Sequence, residues 1–240
     1  MTMQPPDLDA MFRPGARYRL INPDAEDEEA VVEVRNAGRL HLATGRLVAC
    51  DPFSASSLAQ DTAAFTVTAP PGRYPVTLSR ARIDKPTDPE IPAGLSLVAA
   101  ARLTIRDEPV TRWELALRPG QDLAELEPGG FWGFYGFGVD SGAGAFLDLS
   151  ALADLSRLSA PDPAIWQRRG LDEIKSALLA NQMVDLVVNR AAELNVVIFL
   201  CAMGDGGYPV WIGRTAADEP ACFVADLELL SHHSSGPLPD

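Results

Sequence analysis

Apolar and polar positions alternate in short runs along the first half of the chain, with the period of two that marks strands burying one face. The runs are "ARYRLI", "AVVEVRNAG", "LHLATGRLVAC", "AAFTVTAP", "RYPVTLSRARI", "SLVAAARLTIRD" and "VTRWELALR", with Pro, Gly and Asp breakers between them. "RLHLATGRLVAC" predicts a hairpin turning at Thr44-Gly45, with His41 opposite Val48 and Arg39 opposite Cys50. The acidic "NPDAEDEEA" predicts a solvated loop. Past the connector "RPGQDLAELEPGG" the strand pattern resumes in "FWGFYGFGVD". "PDPAIWQRRGLDEIKSALLANQ" then starts on Pro161 and Pro163 and repeats Ile174, Leu178 and Leu179 at helical spacing. "VDLVVNRAAEL" extends this section as a second helix, and strands return in "NVVIFLCAM", "YPVWIGR" and "ACFVADLELL".

These elements predict an α+β fold that is mainly β, with antiparallel sheets or a sandwich and a helical insertion near 161–194. An N-terminal β half (15–120) precedes a C-terminal β half (121–230) that holds the insertion. Residues 1–14 and 231–240 show no period and predict mobile ends. "PPGRYPVTLSRA" and "GDGGYPVWIGRT" share a Gly-x-Tyr-Pro-Val entry into a strand. Each also follows an aspartate placed after an apolar strand, as a duplication of the two halves would have it.

Composition narrows the function classes. With 240 residues, 47% of them apolar, the chain can bury a core without disulfide or metal support. Its net charge of −13 is uneven: residues 1–120 hold 16 acids and 14 bases, residues 121–240 hold 17 acids and 6 bases. Nucleic acid and anionic membrane surfaces would be repelled by the second half. No run reaches the roughly 18–20 apolar residues of a membrane span, and "MTMQPPDLDA" lacks the basic start and apolar stretch of a signal peptide. A cytoplasmic location follows. The three cysteines, Cys50, Cys201 and Cys222, form no CxxC pair and read as small buried apolar residues. Of three histidines two stand in the tail, which argues against a His/Cys zinc site and a Ser-His-Asp triad. A His41–Cys50 pair across the predicted hairpin is the remaining imidazole-thiol arrangement.

"VDSGA" at 139–143 reads like the active-site turn of an aspartic peptidase, and "WIGR" supports that reading. Such chemistry needs two carboxylates about 3 Å apart sharing one proton, which here only a dimer would supply. The competing role for Asp140 is structural: its carboxylate accepts backbone N–H groups of its own turn, which Gly142 and Gly144 make possible. The GxG spacings of "GFGVDSGAG" lack the lysine and the helix start of a phosphate loop. Asp51, Asp140, Asp148 and Asp205, with Ser141 and Tyr208 beside them, form a candidate carboxylate or divalent-cation site. Trp132, Tyr135 and Trp211 join Tyr208 as candidate binding aromatics lining a groove.

Taken in order, "GRLVACDPF", "PPGRYPVTLSRA", "VAAARLTI", "WELAL", "YGFGVDSGAGAFLD", "NVVIFLCAMGDGGYPVWIGR" and "VADLELL" resemble the bacterial domain-of-unknown-function family numbered 4241, over about residues 38–230. Cys-Ala-Met stands before Gly204 where the resemblance leads one to expect Ser-Gly-Trp or a similar run. The resemblance implies a β-rich fold and carries no established activity and no catalytic residues. The function expected is a non-catalytic interaction or small-ligand-binding module, with an unknown protein or small-molecule partner and no cofactor. The alternative is a hydrolase using the aspartate cluster, with or without a divalent cation, or an aspartic-peptidase-like dimer.

Overall fold

The computed structural model describes residues 4–21, 26–126, 135–159 and 171–239. Its strands are β1 (Arg17–Leu20), β2 (Glu28–Leu42), β3 (Leu47–Cys50), β4 (Gly72–Ile83), β5 (Leu95–Thr104), β6 (Arg112–Leu115), β7 (Gly136–Val139), β8 (Ala143–Asp148), β9 (Met183–Asn189), β10 (Leu194–Leu200), β11 (Gly206–Arg214), β12 (Pro220–Asp226) and β13 (Ser234–Pro237). The helices are α1 (Leu8–Met11), α2 (Leu152–Ser159) and α3 (Leu171–Asn181). Strand pairing is antiparallel throughout, in a large sheet ordered β13-β1-β2-β4-β5-β12-β11-β6, with β7 also on β11, and a small sheet ordered β3-β8-β10-β9. The mainly-β α+β architecture expected from the alternation is the one observed. Both chain halves feed the large sheet, since β5 pairs with β12.

The layers follow from which residues are apolar on which face. Leu40, Val76, Leu78, Leu103, Ile212 and Phe223 of the large sheet meet Leu47, Phe146, Val197 and Phe199 of the small one. The other face of the large sheet buries Val32, Ala81, Trp211 and Val224 against Leu8 and Met11 of α1 and the following Phe12. The other face of the small sheet buries Val48, Leu147, Val196 and Ile198 under Leu152 and Leu155 of α2 and Leu178 of α3. A strand covered on both faces must be apolar at every position, which explains the unbroken "VVIF" of β10. Close sheet contact also explains Gly144 in β8: a Cβ there would lie 2.6 Å from the Phe199 ring.

Three expectations are corrected. "VDLVVN" is strand β9, because Val184, Leu186 and Val188 repeat at period two and pack toward the helices, while Asp185 and Val187 are exposed. Gln182, with φ of 63°, ends α3 just before it. β2 and β3 do not form a hairpin: the chain turns at Thr44-Gly45 and changes sheet, so β2 pairs with β1 and β4 while β3 pairs with β8. "AAFTVTAP" is not a strand; its backbone makes isolated bonds from Phe65 to Leu47, Thr66 to Leu117 and Ala69 to Gly45. Within the terminal segments α1 packs into the core and β13 pairs with β1. Residues 160–170, including the Pro161-Pro163 helix start, lie outside the described residues.

The two Gly-x-Tyr-Pro-Val segments share one local device. The Tyr74 hydroxyl donates to Pro70 O at 2.6 Å and the Tyr208 hydroxyl to Gly204 O at 2.7 Å, each folding back four residues at the entry to its strand.

Candidate functional site

Three of the sequence-selected aspartates meet in one corner, where β3 ends and the β7–β8 turn passes the β10–β11 connection. Asp51, 1% exposed, accepts the Phe53 N–H at 2.7 Å, the Asp140 N–H at 2.9 Å and the Ser141 hydroxyl at 2.9 Å. On the far side of the same turn Asp205 accepts the Gly142 N–H at 3.0 Å, and Gly142 O accepts Cys201 N–H at 2.9 Å. The carboxylate that fastens the turn is therefore Asp51, from a different strand. Asp140 contributes only its backbone N–H, and its exposed carboxylate receives no hydrogen bond among the described residues. The expectation that Asp140 fastens its own bend is thereby corrected.

Asp148 lies at the opposite end of β8, about 17 Å from its start at strand rise. It is fully buried and receives Thr44 N–H and hydroxyl bonds at 3.0 and 2.9 Å and Ser150 N–H and hydroxyl bonds at 2.9 and 2.6 Å. It anchors the Thr44-Gly45 sheet crossing and is not part of the corner. Among the described residues no group of three or more His, Cys, Asp or Glu is placed to hold a metal ion. Tyr208 and Trp211 are each 1% exposed and belong to the core. Tyr135 is half-buried, its hydroxyl donating to Asp122 O at 3.0 Å, and Trp132 lies outside the described residues. The groove of aromatics is thus not formed by Tyr208 and Trp211: both side chains point from β11 into the sheet faces. The His41–Cys50 pair is dissolved by the sheet crossing. Burial pushes the Cys50 thiol up to about 12, against a partial pull from Arg118, while His41 Nδ1 lies 3.1 Å from Glu193 O. Burial likewise raises the Cys201 thiol and the Tyr208 phenol.

A second site, outside the sequence-selected residues, opens where the free edge of the small sheet meets the β2–β4 ladder. It is an open cleft of about 640 Å³ lined by Arg39, Arg73, Asp185, Val187, Arg190, Glu193 and Asn195. Its floor is Asn195, 5% exposed. That side chain accepts the His41 N–H at 3.0 Å and donates to Arg39 O at 2.9 Å, so one amide takes the place of a neighbouring strand along the unpaired edge of β2. It also donates to Asp185 Oδ1 at 2.6 Å. A bulge between Asn36 and Arg39 makes room: Gly38, φ +98°, presses on Asp185, whose Oδ2 lies 2.6 Å from where a Cβ would stand. The walls are tied by Arg73 to Glu193 at 2.8 Å and by Arg39 Nη2 to Arg73 O at 2.5 Å.

Replacing Asn195 by Ala strands the His41 N–H, the Arg39 carbonyl and one Asp185 oxygen together. The expected loss is about 2–3 kcal/mol of unfolding free energy by urea titration; a loss below about 0.5 kcal/mol means that water satisfies these groups instead.

A family model matches residues 40–225, more than three quarters of the chain. The chain belongs to the family described as "Protein of unknown function (DUF4241)". No curated protein and no solved structure matches it. The DUF4241 match takes in the aspartate corner and every residue lining the cleft except Arg39, which stands one residue before it. Among the described residues no helix is long and apolar enough to cross a membrane. One signal in the sequence pointed to the cleft: Asn195 is the single polar residue in the apolar run "LNVVIFL" of this DUF4241 chain, and a polar side chain buried there needs partners.

Proposed function

We propose that the chain is a non-catalytic module that binds a small molecule in the cleft between its two sheets. The observation that carries this reading is a solvent-open hollow whose charged rim stands on a bonded, buried floor: Asn195 links β2, β9 and β10. Such a concave site with a few convergent polar groups is the usual form of a ligand pocket. The aspartates considered for catalysis support it indirectly. Asp51 and Asp148 are buried, and both oxygens of each already accept backbone or hydroxyl donors, which turns them away from a substrate.

The test is a ¹H–¹⁵N NMR screen of the full chain against mixtures of small polar compounds. Saturable shifts are expected at the amides of Arg73, Asp185, Glu193 and Asn195, with no chemical change in the compound. Turnover of an ester, peptide, glycoside or phosphoester probe that is lost in Asp140→Asn and kept in Arg190→Ala would replace this reading with the aspartate hydrolase.

A further inference from the structure

We infer that the ligand of this cleft is a small molecule bearing an oxyanion, carboxylate or phosphate, clamped between Arg190 on the small sheet and Arg39 with Arg73 on the large one. The inference rests on the binding reading above and adds its chemistry. Arg190 stands exposed in the turn from β9 to β10, and its guanidinium forms no hydrogen bond or ion pair among the described residues. The turn itself is held, with Ala192 N–H donating to Asn189 Oδ1 at 3.1 Å and Glu193 N–H to Arg190 O at 3.4 Å. Across the cleft, the bond from Arg39 to Arg73 O uses one Nη2 proton and fixes the plane of the fork, leaving further N–H groups for a ligand. Arg73 is paired with Glu193, yet the two side chains are 45% and 70% exposed. An ion pair that open to water contributes little, so an entering oxyanion displaces Glu193 at small cost and gains two-point contact with a fork.

The charges also limit the ligand. Three guanidiniums and the carboxylates of Asp185 and Glu193 leave the cleft one positive charge in excess, in a chain whose net charge is −13. A single anionic group neutralises the cleft, whereas a polyanion meets both carboxylates and the negative field of the whole molecule. Asp185 keeps Oδ2 as an acceptor beside this anion position, since Asn195 takes Oδ1. A hydroxyl or ammonium group next to the oxyanion fits there.

The experiment titrates the full chain with inorganic phosphate, acetate, glucose and choline, following the amides of Arg73, Glu193 and Asn195 by NMR. Phosphate or acetate is expected to shift them saturably; the tighter of the two identifies a phosphate or a carboxylate ligand. Arg190→Ala is expected to weaken that anion about tenfold, with Arg190→Lys in between. If glucose or choline shifts these amides and neither anion does, the cleft binds ligands and the oxyanion assignment is overturned. If no probe shifts them, the binding reading itself fails, and equal anion affinity in Arg190→Ala and the parent chain overturns the clamp.

Discussion

Replacing Asp51 by Ala is expected to cost roughly 4 kcal/mol, a fall of about 10 °C in melting temperature for a chain of this length. Three donors lose one charged acceptor at a position 1% exposed: Phe53 N–H, Asp140 N–H and the Ser141 hydroxyl. Bonds to a charged partner are worth about 1.5–3 kcal/mol each, and donors left buried without an acceptor bear the full cost of their lost hydration. Asp51→Asn should recover only part, because the NH₂ that replaces Oδ2 faces the Asp140 N–H, donor against donor. The informative control is Asp140→Ala. Its carboxylate is exposed and unpartnered among the described residues, so the change should stay within about 0.5 kcal/mol. Calorimetry of the three variants decides the matter: similar losses for Asp51→Ala and Asp140→Ala would mean that the bend is held from both sides after all.

This contrast shows where the sequence was readable and where it was not. "CDPF" and "VDSG" both place an aspartate after an apolar strand, and each alone suits a turn. Which of the two holds which turn depends on β3 lying beside β8, a pairing of residues about 100 apart and encoded in no local pattern. β4 and β5 were legible from short apolar and β-branched runs between breakers, and β10 from a continuous apolar run that reports two covered faces. "VDLVVN" was misread as helix because it follows a true helix and the change of period from 3.6 to two occurs within a few residues, at Gln182. The N-terminal helix was missed because only Leu8, Met11 and Phe12 carry it, too short a run for periodicity to register among prolines and aspartates.

The cleft was invisible for a related reason. Arg39 and Arg73 face each other through the β2–β4 ladder, which sets Arg39 against Pro75 and His41 against Arg73, and Arg190 arrives from the other sheet. In the linear sequence these are three isolated arginines in an acidic protein. Asn195 was the exception, conspicuous in its apolar setting, though nothing in the sequence named its partners.

The same logic of a buried polar group applies with larger effect at Asp226. It ends β12, is fully buried, and faces the α1 side of the large sheet with Tyr18 and Trp211. Its Oδ1 accepts the Glu228 N–H at 3.0 Å and the Ser231 hydroxyl at 2.9 Å, which organises the chain leading to β13. Its Oδ2, the Tyr18 hydroxyl and Trp211 Nε1 are buried without partners among the described residues. Burial pushes the Asp226 carboxyl from 3.8 up to about 6, the bonds from Ser231 and Glu228 and the nearby His232 pulling it back, and Glu228 adding to the rise. His232 is itself paired with Glu228 at 3.2 Å, and Tyr18 is pushed up to about 12, chiefly by burial and by Asp7. A carboxyl raised in the folded state holds its proton more tightly there than in the unfolded chain. Its contribution to stability is complete below about 4 and is lost as pH rises through about 6, a difference of about 3 kcal/mol. Glu228 and Asp9 are also raised by burial and slope the same way, while Glu28 and Glu114 are lowered and slope the other way. The comparison with Asp226→Asn cancels Asp9, Glu28 and Glu114, and cancels Glu228 only in part because it is coupled to Asp226. Urea unfolding between pH 4.5 and 8 should find the two proteins diverging as pH rises, with Asp226→Asn the more stable by about 3 kcal/mol at pH 8 and the gap closing at the acid end. Parallel curves would mean that Asp226 is ionised and solvated throughout, and that the hydroxyl of Tyr18 and the indole of Trp211 are satisfied by something other than a protonated acid.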